Sequence, residues 1–527
     1  MEIVENKALK LAVPTITAEQ ILDIENSGMI KDHGDVKEIL VKWGHGETES
    51  LAEILDKYRP DPRVPKVPSP MLRDYNWPGM YKPFEHQKDT AAFLSLRQRA
   101  FCFNEAGTGK TSAAIWAADY LMNLGLVKRV LVICPLSIMY SAWHNDIFKT
   151  AMHRTAAVAH GSADKRKKII ETGYEFVIIN YDGVGIVFKE LADVHFDLII
   201  IDEANGYKNA STRRWKTLAK LITPKTRLWM MTGTPASQSP IDAFGLARLV
   251  SPYRIPKYVT VWRDQVMKQI SKFKWVNKPD FKERVHDVLQ PAIRYTKKEC
   301  LDLPELVYQT REIPLTSQVI KYYKQLKTQM LIEAAGEEIT AVNAAASLSK
   351  LLQLSGGAVY STDGNVVEFD ISPRLKALKE VLDETENKVV VFVPYLHTID
   401  VVTDYLQKEG FSNEVIQGSV PARERSLIID RFQTQVFPRV LVIQPQSASH
   451  GITLTAADTV VFWSPVMSVD TYLQCIARID RVGQKNTMTV VHLQGSDTER
   501  KVYAMLQGKV DSHQKLVDLY KQELEDV

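Results

Sequence analysis

Between Phe101 and Thr111 the chain runs Phe-Cys-Phe-Asn-Glu-Ala-Gly-Thr-Gly-Lys-Thr. An apolar strand end runs into a glycine turn, and a helix starts near Lys110. Glycines let the backbone curl so that its N–H groups face phosphate oxygens, and the helix N-terminus adds partial positive charge. Gly107, Thr108 and Gly109 would form the cradle, Lys110 would reach the β- and γ-phosphates, and the Thr111 hydroxyl would ligate Mg²⁺. The full phosphate-loop pattern places another glycine at position 104, which is Asn104 here, so the match is partial. An ordinary glycine turn capping a helix is the competing reading, and the order of the later motifs decides between them.

At 527 residues the chain is too long for one core. With 45% apolar and 24% charged residues it has an ordinary globular composition. A net charge of +3 means that any nucleic-acid site is a local patch. Cys102, Cys134, Cys300 and Cys475 lie far apart with no metal-ligand spacing, as expected for reduced thiols. The N-terminus lacks the pattern of a signal peptide, and no apolar run approaches a membrane helix. The expected location is the cytoplasm.

Residues 1–80 read as a small helical or mixed accessory region ending in a proline-rich linker, with short helical patterns over Ala18–Ile24 and Val36–Val41. Residues 81–255 alternate apolar runs with helical patterns. The runs Val130–Cys134, Phe176–Asn180, Leu198–Ile201 and Leu228–Met231 predict a parallel sheet buried on both faces. Residues 256–370 read as a mostly helical insertion, with helices at Val319–Leu331 and Ala341–Leu354 and a short hairpin near Gly356-Gly357 and Asp363-Gly364. Residues 371–495 return to α/β alternation, with strands near Val389–Val393, Val415–Gln417, Val440–Ile443, Thr459–Phe462 and Thr489–Leu493. Residues 496–527 form a helical tail. Two α/β halves of similar size suggest a duplication with a cleft between the halves, and ligands sit at the carboxyl ends of such strands.

Leu198–Ile201 leads into Asp202-Glu203-Ala204-Asn205, about ninety residues after the phosphate loop. Asp202 is placed to hold Mg²⁺, and Glu203 to orient and deprotonate a water. Thr232-Gly233-Thr234-Pro235 follows another apolar strand, where small hydroxyl residues can relay changes at a phosphate. Arg478 and Arg481, three apart, would face one way on a helix and stabilise charge on a transferring phosphoryl group.

In order and spacing these motifs resemble the Swi/Snf-type ATPases of helicase superfamily two, over roughly residues 80 to 510. Pro83–Gln87 is similar to the adenine-recognising motif, with Gln87 as the reader. Cys134-Pro135-Leu136-Ser137, with Trp143 and Phe148 downstream, resembles motif Ia. His160-Gly161 and Asn180-Tyr181-Asp182 stand where motifs Ib and Ic belong, and Tyr207-Lys208-Asn209 follows motif II as in the family. Thr232–Pro235 is similar to motif III, and Ile293–Lys298 with Leu303-Pro304 to the stretch that bridges the lobes. Gly418, Arg423 and Phe432 fit motif IVa, Ser449–Asp458 resembles motif V, and Gln474, Arg478, Arg481, Gly483 and Gln484 match motif VI. The resemblance implies two RecA-like parallel-sheet lobes and an ATP- and Mg²⁺-dependent motor on double-stranded DNA, forked or branched forms included. It also makes Ser137, His160, Lys208 and Thr453 the candidate nucleic-acid contacts.

Three departures stand out: Asn205 where the family usually has His, Ser449-His450 where it often has Gly and a small apolar residue, and Asn104 where an acidic residue is common. The short inter-lobe segment, with no appended module, resembles small phage and bacterial members and argues against a histone substrate. Residues 261–300 hold ten Lys or Arg against five Asp or Glu, interleaved with Trp262, Phe273, Trp275, Phe281 and Tyr295. Such a segment can grip phosphates and stack on bases, or hold its aromatics in the core. Lys165–Lys168 is a second basic run. The predicted protein is a monomer that translocates on duplex DNA for fork or junction remodelling or protein displacement. Two rivals stay open: a strand-separating helicase on single-stranded DNA or RNA, and a nucleotide-gated platform that recruits a protein partner through residues 1–80.

Overall fold

The computed structural model describes residues 1–57, 67–233, 235–236, 239–270, 275–300, 303–334, 341–360, 366–448 and 452–508. Thr234, Phe273, Ser449–Gly451, the Asp363-Gly364 turn, Pro60, Pro62 and Pro65 of the linker, and the tail beyond 508 lie outside them. The chain divides into two units, Met1–Cys300 and Leu301–Val527. The 256–370 stretch is therefore shared between the units.

The first unit opens with a four-stranded antiparallel sheet, ordered Glu2–Val4, Ala8–Pro14, Val36–Lys42 and Ser27–Asp32. The helical expectation for Val36–Val41 is overturned, because Ile39 and Val41 alternate into a core that they share with Leu9, Leu11 and Val13. Ala18 and its neighbours do form a helix, Thr15–Leu22. A second helix, His45–Lys57, brings Leu51, Ala52 and Leu55 into the same core, which also takes in Leu96. Arg97 bonds Asp56 (2.8 Å), Arg227 pairs with Glu49 (2.6 Å), and Arg254 donates to the Asp56 carbonyl. This region is thus built into the unit that carries the phosphate loop.

The sheet of that unit has seven parallel strands in the order Ala292–Ile293, Arg99–Cys102, Arg227–Met231, Leu198–Ile201, Val130–Cys134, Phe176–Asn180 and Ala156–Val158. Its central runs are β-branched or apolar and buried on both faces, as predicted for parallel strands. The helix Lys110–Asn123 is buried almost all round, and Ala113, Ala114, Ala117 and Ala118 let it lie close to its neighbours.

The second unit carries six parallel strands in the order Leu306–Glu312, Met488–Gln494, Ala457–Phe462, Lys388–Phe392, Val440–Ile443 and Asn413–Ile416. Two long helices, Ser317–Ala334 and Ala341–Gly356, precede a hairpin of Ala358–Tyr360 with Val366–Glu368. Buried Arg374 makes two 2.8 Å bonds to buried Glu499, which caps the helix Asp497–Leu506 through the Ser496 and Gly495 amides. Removing either partner would strand the other's charge, at a cost of roughly 3–5 kcal/mol.

Candidate nucleotide and nucleic-acid site

The phosphate loop leaves the strand Arg99–Cys102 and the Asp-Glu turn leaves Leu198–Ile201, with Arg227–Met231 between them. The sheet thus places the Thr232-Gly233 turn between loop and carboxylates. The Thr232 amide donates to the Cys102 carbonyl (3.0 Å), and a Cβ on Gly233 would sit 3.4 Å from the Ala106 nitrogen.

Gly107 (φ +90) and Gly109 (φ +76) take the left-handed conformation that curls the loop, and Gly109 caps the helix at Lys110. Lys110 is 9% exposed, and its ammonium has no carboxylate ion-pair partner among the described residues. His86 and Gln87 both donate to the Thr108 carbonyl, at 2.8 and 3.3 Å, so the helix Glu85–Ser95 is tied to the loop. Gln87 Oε1 accepts from the Phe84 amide (2.9 Å). One Nε2 proton and one Oε1 lone pair remain to meet a donor–acceptor edge. Curled amides, a buried ammonium and the adjacent Thr111 hydroxyl fit a triphosphate with its cation.

Asn104 has a definite task in place of the pattern's glycine. Fully buried, it donates from Nδ2 to Thr90 Oγ1 (2.8 Å) and accepts on Oδ1 from the Tyr295 amide (3.0 Å). Glu105 accepts from the Lys297 amide (3.0 Å). The Ile293–Lys298 segment is thereby stitched to the loop, with the Tyr295 hydroxyl on Asp89 (2.7 Å).

Asp202 is 5% exposed. Burial first, then the charge of Glu203, pushes its carboxyl upward, while Lys110 and the Trp143 hydrogen bond pull it down. Trp143 donates from Nε1 to Asp202 Oδ2 (3.0 Å), and the Glu203 amide donates to Oδ1 (3.0 Å). Glu203 is left-handed at φ +52, ψ +53. The Tyr181 hydroxyl donates to the carbonyls of both Asp202 (2.6 Å) and Glu203 (3.0 Å). Burial, then the Glu203 and Asp202 charges, holds that phenol far above its ordinary range, so it stays a donor. Burial pushes the Cys102 thiol up to about 11 and Cys134 upward too, and all four cysteines are free.

The candidate nucleic-acid contacts lie on loops after the strands. Ser137 is on the short turn Leu136–Ile138, and His160 follows Ala156–Val158, with burial the main cause that lowers its imidazole pKa. Lys208 Nζ meets Asp242 at 3.1 Å, and a Cβ at Gly245 would collide with the Lys208 and Tyr207 carbonyls. Of the run Lys165–Lys168, Arg166 is buried and bonds the Ala159 and Gly161 carbonyls and Asn180, while Lys167 pairs with Glu190 (2.9 Å). Trp262 is a core residue whose Nε1 donates to the Pro240 carbonyl, Phe281 packs on the same core, and Arg263 stacks on Trp275. These aromatics take internal partners.

In the second unit, Arg478 and Arg481 do not lie on a helix: Val469–Ile476 ends before them, and both are in the turns that follow. They nonetheless converge, Nη1 of each donating to the Ile452 carbonyl at 3.2 and 3.1 Å. Arg478 is 4% exposed, and its Nε donates to the Gln474 carbonyl (2.6 Å). Thr453 sits between Ile452 and Leu454, whose amide donates to the Arg478 carbonyl. Gln484 binds the Ala457 carbonyl (2.8 Å) and closes the same turn. Trp143 was grouped with motif Ia, and its bond to Asp202 had no sequence signal, because the two are 59 positions apart.

Residues 86–356 match the SNF2-related domain and residues 373–483 the helicase conserved C-terminal domain. The chain is 27% identical over 432 residues to chromodomain-helicase-DNA-binding protein 1-like of Mus musculus, covering 77% of this chain and 46% of that protein. It is 25% identical over 402 residues to an uncharacterized ATP-dependent helicase of Mycoplasma genitalium, covering 75% of this chain and 38% of that one. The chain spans less than half the length of these two relatives. The Sulfolobus solfataricus SWI2/SNF2 ATPase core in complex with dsDNA aligns with a TM-score of 0.41 and 22% identity, over 86% of this chain and 98% of that one. No helix among the described residues is long and apolar enough to cross a membrane.

Proposed function

Because the chain belongs to the SNF2-related domain family, whose match spans more than half its length, we propose that it hydrolyses ATP on binding duplex DNA. The output is translocation along the duplex, used to remodel forks or junctions or to displace bound proteins. The observation that carries the reading is the pairing, at one sheet edge, of the Lys110 loop with the buried Asp202–Glu203 turn.

In this reading Gln87 offers its free Nε2–H and Oε1 lone pair to the N7/N6 edge of adenine, a match that amides make bidentately. The amides around Gly107–Gly109 and the Lys110 ammonium hold the phosphates. Thr111 and Asp202 would hold Mg²⁺, which when bound neutralises phosphate charge. Glu203 orients a water and takes its proton. Arg478 and Arg481 stabilise the charge on the transferring phosphoryl group, and DNA promotes turnover. Ser137, His160, Lys208 and Thr453 meet the DNA backbone, giving binding that is sequence-independent and salt-sensitive.

The test is ATP turnover with no nucleic acid, duplex DNA, single-stranded DNA and RNA, with Lys110→Ala as the blank. Stimulation by duplex alone is expected. Stimulation only by single strands or RNA would replace the translocase with a helicase, and none at all would leave a nucleotide-gated platform.

Gly109→Ala tests the loop itself. Its Cβ would collide with Gln87 Nε2 at a positive φ. Affinity for a fluorescent ATP analogue should fall about tenfold or more, since strain of this kind costs on the order of 1–3 kcal/mol. Unchanged affinity would mean that nucleotide does not use this loop.

A further inference from the structure

Two side chains outside the nucleotide-binding set grip the Asp202–Glu203 turn from different sides. Trp143 reaches Asp202 Oδ2 from Met139–His144, a six-residue π-helical stretch directly after the Leu136–Ile138 turn. It is fully buried, so its only role on this side is through Asp202 and the core. Single π-helical turns are rare and are frequent at functional sites. Tyr181 comes from the residue after the strand Phe176–Asn180 and bridges two successive carbonyls. Neighbouring carbonyls line up only where the backbone is helical, and at Glu203 that backbone is left-handed. The hydroxyl therefore holds in place a conformation that a glutamate alone disfavours. Arg214 fixes Tyr181 in turn, lying 4.9 Å over its ring while donating to Asp182 (2.7 Å), and Tyr207 packs edge-on at 5.6 Å.

Both side chains belong to segments that follow neighbouring parallel strands, Val130–Cys134 and Phe176–Asn180, and that reach the surface at Leu136 and Asp182. We propose that Trp143 and Tyr181 form a clamp that couples nucleic acid at these two segments to the position of the Asp202 and Glu203 carboxylates. They are positioning residues and touch neither nucleotide nor DNA. The proposal rests on the duplex-dependent reading above: a backbone phosphate that bonds Ser137 shifts the π-turn, one that draws Arg214 away from Asp182 shifts Tyr181, and the shift reaches the carboxylates through one N–H and one O–H.

Trp143→Phe removes the indole N–H while keeping an aromatic in the core, and Tyr181→Phe removes only the hydroxyl. The ratio of duplex-stimulated to DNA-free kcat should fall about tenfold in each, with the KM for ATP and the duplex Kd within about twofold of wild type. A second readout is independent of turnover. Hydrogen–deuterium exchange of the peptide spanning 202–208 should slow on duplex binding in the wild type and not in the variants. If both rates fall together, or the exchange response survives in the variants, the clamp is overturned and these residues only support the core. If the wild type itself shows no stimulation and no exchange response, the duplex-dependent reading has failed and the coupling falls with it.

Discussion

Glu203→Gln should lower kcat for ATP hydrolysis by about 10²–10⁴-fold, the range for a removed general base. The amide is isosteric, so the left-handed turn at φ +52 and the Tyr181 bonds to the Asp202 and Glu203 carbonyls have no reason to change. Asp202 keeps its Trp143 and backbone hydrogen bonds. What is lost is the ability to take a proton from water. Relief of the Glu203 charge should also ease the upward push on the Asp202 carboxyl, whose second cause is that charge. Nucleotide affinity should therefore hold or rise. Phosphate-release kinetics beside equilibrium binding of a fluorescent ATP analogue would measure both. A variant that still turns over at the wild-type rate would remove Glu203 from the chemistry.

The motif VI arginines should separate by mechanism although they share an acceptor. Arg481→Ala is expected to cost about 10³–10⁵ in kcat, as for arginines that stabilise a transferring phosphoryl group. Its melting temperature should stay closer to wild type than that of Arg478→Ala, because Arg481 is half-buried where Arg478 is 4% exposed, and the Ile452 carbonyl keeps its bond from Arg478. Arg478→Ala should lose both activity and stability. That side chain is 4% exposed and donates to the Gln474 carbonyl, which loses this partner while the Ile452 carbonyl keeps Arg481, and a buried group left unpaired costs about 1–3 kcal/mol. Thermal melting and steady-state turnover on both variants check the split. Equal loss of stability would show that the pair is mainly architectural.

Much of this architecture was legible because parallel strands buried on both faces write themselves as short apolar runs. Val130–Cys134, Leu198–Ile201 and Val440–Ile443 fall where such runs predict. The glycine turn before Lys110 and the Asp202-Glu203 pair could be picked out because glycine and carboxylate chemistry is local, and the sheet brings the two turns to one edge. The N-terminal sheet was not legible. Val36–Lys42 places Leu40 between Ile39 and Val41, so its alternation is blurred and the run resembles a helical face. Ala8–Pro14 alternates cleanly, yet it is flanked by no strong turn signal. Arg478 and Arg481 were expected on a helix because their spacing fits one, but the turns after Ile476 deliver the same convergence through a shared carbonyl. Asn104 looked like a defect in a pattern until its amide was seen to bond Thr90 on one side and Tyr295 on the other. Contacts of that kind join segments far apart in sequence and leave no trace in spacing.

The docking of the N-terminal sheet bears on how a truncation would read out. Leu96 directly follows the helix Glu85–Ser95, and it is buried in the core it shares with Leu9, Ile39, Val41, Leu51 and Val67. Cutting away 1–57 would bare Leu96, strand Arg97 and Arg227 without their carboxylates, and loosen the helix that carries His86 and Gln87 onto Thr108. A silent truncation mutant would therefore report a damaged first unit, whether or not a binding partner had been lost. Recruitment is better interrogated by single charge changes along Ser27–Asp32, an edge strand whose residues from Gly28 onward are exposed. In building terms the N-terminal piece is a foundation course laid under the helix Glu85–Ser95, open to refacing along its exposed edge strand but not to removal.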